Sequence, residues 1–289
     1  MGRTLLLALF ALLIHYEGIA EALNMSLTQA LKKKYVQINA VSTGGAQGEC
    51  LNLSIKNNTS LFINIKIDHA LIFRPSDTNY QDLVAAGGNL LALQSKTTKS
   101  IQLQTFCGKS YARGPKPNLK YNFYKQGDET MIGVAKLIVE KKLYNSIGQH
   151  AIWSLTNNHS LSGIYSARDT GNSKELVKYI AGRTGRPLPQ YYTTHNVNTG
   201  TTTGAVFNPT IEKYVVVVEW SKPSSRNMHV LVHKENGELF LEEKNEQISK
   251  RGHKVTVELD PKKVAKGKYT VILRDDDNTV YQKNEVYVQ

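Results

Sequence analysis

Between Cys50 and Cys107 the chain alternates apolar and polar residues: Leu51, Leu53 and Ile55, then Ile63, Ile65 and Ile67, and later Ile101, Leu103 and Thr105. A period of two places each set on one face of a β-strand, whereas a helix brings a face round only every 3.6 or so residues. Asn57-Asn58 between the first two runs reads as a hairpin turn, and Gly87-Gly88 punctuates residues 82–86 and 90–93. Short strands spaced this closely predict an antiparallel β-sandwich and argue against βαβ units.

The two cysteines that bound this block are the only ones in the chain. Arg3, the apolar run 5–14 and Ala20-Glu21-Ala22 read as a secretory signal peptide over residues 1–22. That run is about half the length of a membrane span, and no other run comes close, so no transmembrane segment is expected. The mature chain is expected to be secreted, at the cell surface or in the periplasm. Thiol pairs usually oxidise outside the cytoplasm, so Cys50 and Cys107 are expected to form a disulfide, which for such a loop contributes about 4 kcal/mol in the chain-entropy account. Two distant cysteines without a CxxC make a poor zinc set; no metal and no cofactor is expected.

Charge is unevenly distributed. Residues 23–196 hold 21 Lys and Arg against 9 Asp and Glu, whereas residues 197–289 hold 14 against 13. An anionic partner would therefore be drawn to the first part. Directly after Cys107, GKSYARGPKPNLK forms a basic loop in which Lys109, Tyr111, Arg113, Lys116 and Lys120 are the candidate binding residues. Cations beside an aromatic ring suit an anionic glycan or an extracellular protein, and there is no specific nucleic-acid motif.

Helical spacing follows. Asp128 is placed to cap a helix carrying Met131, Ala135, Ile138, Val139 and Leu143, although Gly133 and the run 137–139 also suit a buried strand; a second is expected around Ala151, Ile152 and Leu155, and a third carries Leu176, Val177 and Ile180 before Gly182 and Gly185. The series GECLNLSIKNNTSLFINIKI, YQDLV, TFC and QHAIWSLTNN resembles an extracellular bacterial β-sandwich domain and is similar to thioester-type adhesin domains, which join a Cys to a Gln. The resemblance spans about residues 50–165. It departs at the cysteines, which here are expected to pair with each other, so thioester chemistry is not carried over to Gln149.

RPLPQ and the polar stretch after it read as a linker over 187–204, dividing a β-sandwich domain with two or three helices, 23–186, from a second β-sandwich, 205–289. YVVVVEW is a buried strand by its unbroken apolar run, and Asn236-Gly237 is a strong hairpin signal. The tail GKYTVILRDDDNTVYQKNEVYV resembles the last strands of small immunoglobulin-like modules of secreted bacterial proteins, including flagellar hook-capping and sorting-tail types, which implies display or protein contact.

The chain has no GxSxG, HExxH, P-loop or GxGxxG motif. With modules and charge asymmetry but no catalytic constellation, the sequence reads as an exported non-catalytic binding, adhesion or surface-assembly protein with no catalytic residues. The alternative is a hydrolase with an unfamiliar site in the helical segment, drawing on His150, His159, Asp169 and His195.

Overall fold

The computed structural model describes residues 22–197, 203–220, 227–245 and 254–288; the expected signal peptide, apart from Ala22, lies outside them. The first part comprises β1 (Leu23–Ser26), the short helix α1 (Leu27–Lys32), β2 (Val36–Ser42), β3 (Gln47–Asn57), β4 (Ile63–Lys66), β5 (Leu71–Pro75), β6 (Leu83–Ala85), β7 (Leu90–Leu93), β8 (Thr98–Cys107) and β9 (Lys120–Gln126). The alternation holds: Leu51, Leu53, Ile55, Ile63, Ile65 and Leu103 are completely buried in one core. The layers differ from two open facing sheets. Strands β2-β3-β8-β6-β5-β9 close into a barrel, which leaves no unpaired edge, and β1-β4-β7 form the small second sheet packed on it.

Asn57-Asn58 does not make the expected hairpin, because β3 pairs with β2 and β8 while β4 pairs with β1 and β7. Instead the Asn57 side chain is fully buried and donates to the carbonyls of Leu61 and Gln94 at 2.7 and 3.0 Å, fixing the crossing between the layers.

Helices α2 (Glu129–Glu140), α3 (Ser146–Thr156) and α4 (Thr170–Thr184) follow. Asp128 caps α2 through Met131 N–H at 2.8 Å, and Met131, Val134, Ala135 and Ile138 make its buried stripe. Residues 147–154 of α3 are all buried, which marks an internal helix. A Cβ on Gly148 would sit 2.2 Å from the Leu143 carbonyl in the turn before the helix and 3.0 Å from the Phe106 ring of the barrel, so the helix packs tightly on both. Helix α4 ends at Gly185, whose φ of 70° is the left-handed stop that glycine adopts without penalty.

The last part contains β10 (Tyr192–Val197), β11 (Phe207–Glu219), β12 (Met228–Lys234), β13 (Leu239–Asn245), β14 (Lys254–Leu259), β15 (Gly267–Asp275) and β16 (Val280–Val288). Sheets β10-β11-β14 and β13-β12-β15-β16 enclose a core of Val216, Val218, Trp220, Val230, Val271 and neighbours. The expected linker is thus a strand over Tyr192–Val197, paired along β11. The unbroken apolar run of β11 has a reason: Val215 and Val217 pack on the helices while Tyr214, Val216 and Val218 face the opposite core, so both faces are covered. Asn236-Gly237 does turn β12 into β13. No helix of the described residues is long and apolar enough to cross a membrane.

Candidate functional site

The pairing of β3 with β8 is interrupted by a bulge between Gly48 and Leu51 and then runs only as far as Gln47 opposite Phe106. Beyond the bulge Cys107, at the end of β8, still pairs with Leu83 of β6 on one side. On its other side the partner is a side chain. The carboxamide of Gln149 accepts from Cys107 N–H and donates to the Cys107 carbonyl, both at 2.9 Å, in the manner of a neighbouring strand. Cys107 and Gln149 are both completely buried. The side chain can make these bonds because α3 approaches β8 across Gly148, one residue earlier.

The expected disulfide is absent here: Cys50 and Cys107 are free, buried thiols. By the register of β3 and β8, in which Leu51 faces Leu103 and Gln47 faces Phe106, Cys50 stands near the level of Gln104. Its Sγ lies beside Gly45 and Thr105 and is not bonded to Cys107. The Cys107 thiol donates instead to the Ala46 carbonyl at 2.8 Å. Burial pushes the Cys50 thiol up to about 11, against a hydrogen bond from Thr105 that lowers it. Burial pushes Cys107 well above the ordinary thiol range, with a further contribution from Cys50. Both sulfurs therefore stay protonated at neutral pH.

The pair is covered from outside. Val206 packs on Cys107, Ala46 and Trp153, all buried. It belongs to residues 203–207, which run beside the basic loop through Val206 N–H to Ala112 O at 3.2 Å, Phe207 N–H to Ser110 O at 3.1 Å, and a bridge between Arg113 and Ala205.

Three of the four residues named for the hydrolase alternative meet around Phe207. Ring centroids of His159, His195 and His150 lie 4.5, 5.2 and 5.9 Å from it, with Trp153 at 5.3 Å. Asp169 is elsewhere, capping α4 through Asn172 N–H. Burial lowers His150 to about 3, helped by His195 and His159; burial first also lowers His159 and His195. The imidazoles are thus held toward the neutral form, with His150 buried and His159 and His195 half-buried around the half-buried Phe207 ring. Among the described residues no group of three or more His, Cys, Asp or Glu is arranged to hold a metal ion.

The five candidate binding residues diverge. Lys109 Nζ pairs with Asp82 at 2.9 Å and, with the exposed Tyr111, lines a cleft of about 380 Å³ that also holds Arg74, Tyr124 and Lys125. Arg74 lies flat on the Tyr124 ring, 3.3 Å from its centroid. Arg113 contributes backbone to the cover, Lys116 sits over Tyr80, and Lys120 opens β9 opposite Val41. The loop is held by Gln81, a residue with no sequence signal. It is fully buried, donates to Ala112 O at 2.6 Å and accepts from Lys109 N–H at 2.7 Å.

No family model, no curated protein and no solved structure matches the chain.

Proposed function

We propose that this chain is an exported binding or adhesion protein that fixes its target covalently through an internal thioester between Cys107 and Gln149. The observation that carries the reading is the Gln149 carboxamide, held on both sides by the backbone of a buried, unpaired Cys107. With Cys50 no longer the natural partner of Cys107, the resemblance of TFC and QHAIW to thioester-type adhesin domains extends to these two residues.

The chemistry requires no oxidant and no metal. Cys107 Sγ attacks Gln149 Cδ; the S–C bond forms, the C–N bond breaks, and the nitrogen leaves as ammonia, taking the thiol proton. Cys107 N–H already donates to Gln149 Oε1, where negative charge develops as the sulfur adds, so the donor is in place for an oxyanion. Because burial disfavours a free thiolate, the proton passes to the departing nitrogen without a long-lived sulfur anion. A primary amine of a partner protein would then attack the same carbon, forming an amide and returning the thiol. Each molecule acts once, which makes it a binding protein and not an enzyme.

The excess of basic residues before residue 196 supports an anionic first encounter, with a protein or a glycan surface, and the cleft beside Lys109 and Arg74 adjoins the cysteine. In this reading the C-terminal sandwich is an immunoglobulin-like spacer. The test is capture of a fluorescent primary amine, followed by peptide mapping. The expected product is the label on Gln149 with an alkylatable thiol at Cys107; label spread over several glutamines, or none, refutes it.

A further inference from the structure

A thioester at Cys107 would be sealed, since neither it nor Gln149 has any exposed surface, and what seals it is a strap one residue from the histidine cluster. Val206 covers Cys107 and Trp153, and the next residue, Phe207, is the ring on which His150, His159 and His195 converge. The strap's attachment to the basic loop includes two backbone hydrogen bonds longer than 3 Å and one bridge. The interior it closes is not fully satisfied: Trp153 Nε1 and His195 Nδ1 are buried without hydrogen-bond partners.

We propose that residues 203–207 are an acid-released strap: protonation of the histidine cluster expels Phe207 and uncovers the Cys107–Gln149 pair to an amine target. This rests on the thioester reading for its purpose, though the strap's movement does not depend on it.

The surroundings of each ring set the direction. His150, on α3, meets His195 of β10, His159 of the following loop and Phe207 of β11. His159 shares a hydrogen bond with Ser110 Oγ at 2.9 Å, its carbonyl accepts from the Arg186 guanidinium, and burial and then His195 oppose its charging. His195 has Glu212 of β11 near it, the one carboxylate acting on the cluster among the described residues, and is still held down by burial. In the closed form all three are neutral. Once the strap lifts, each regains an ordinary value of about 6.5. The open form therefore binds more protons, so closure is complete above about pH 6.5 and weakens as pH falls through that value, by up to about tenfold per pH unit for each histidine released. For His150 this continues until about 3, its value in the closed form.

The experiment compares hydrogen exchange of residues 203–207 with that of 214–218 in the full chain, corrected for intrinsic rates, between about pH 7.5 and about pH 5.5. Strap protection should fall at least about tenfold while 214–218 stays protected, and it should fall markedly less in an H159F/H195F variant, where only His150 is left to charge. An F207A variant should exchange rapidly at both pH values. Alongside, methoxyamine, whose nitrogen stays unprotonated in mild acid, should label Gln149 faster at the lower pH in the unaltered chain, and fast at both in F207A. Strap protection that does not change with pH in the unaltered chain overturns the proposal. Acid loosening without any methoxyamine product upholds the strap and sinks the thioester.

Discussion

The two ends of the β3–β8 pair are built differently. From Leu51 and Leu103 to Lys56 and Thr98 the ladder is unbroken, and the inward side chains fill the barrel core. At the other end β3 bulges, and the backbone of Cys107 is satisfied by a glutamine side chain from a helix. The regular end holds the fold together by burial alone. The irregular end brings a thiol, an amide and a backbone donor together, which costs a ladder position and creates a site.

The largest expected effects separate these roles. Leu53→Ala, at the regular end, should lower unfolding stability by about 3 kcal/mol in a denaturant titration, while the folded fraction still captures amine at Gln149. Gln149→Ala should cost about 2 to 4 kcal/mol, since it strands the buried N–H and carbonyl of Cys107, and should abolish capture. Both lose stability, but only one loses the chemistry. Cys107→Ala keeps the Gln149 bonds and should cost about 1 to 2 kcal/mol for the lost sulfur contacts, again with no capture.

The smallest effect is the most discriminating. Cys50→Ala should change stability by about 1 kcal/mol and leave amine capture intact. Were the two cysteines a disulfide, both alanine variants would instead lose a similar, larger amount of about 4 kcal/mol. At the irregular end alone, lowering the pH below about 6.5 should also loosen the histidine-lined cover while the barrel core is unaffected.

Much of the regular end was readable in the residues, because a period-two pattern such as Leu51, Leu53 and Ile55 records which face is buried. Capping at Asp128 and the turn at Asn236-Gly237 were equally local. The pairing of β3 across the barrel was not readable, since Asn57 bonds to residues over thirty positions away and its role as a crossing point depends on the other sheet. Strand β10 carries no strand signal because TTHNV is polar; it is a strand through its pairing with β11 and not through its own pattern. At the site, QHAIW singles out Gln149, but two cysteines in an exported chain read as each other's partners, which separates Cys107 from Gln149. Gln81, which anchors the basic loop, had no local signal. The convergence of His150, His159 and His195 on Phe207 is a product of tertiary packing alone.

The central claim is most directly tested by the intact mass of the natively purified protein, before and after methylamine. The account predicts a mass one ammonia below that of the chain with two free thiols, and gain of one methylamine together with one alkylatable thiol after treatment. A native mass equal to the free-thiol chain, or lower by two hydrogens as a Cys50–Cys107 disulfide would give, contradicts it.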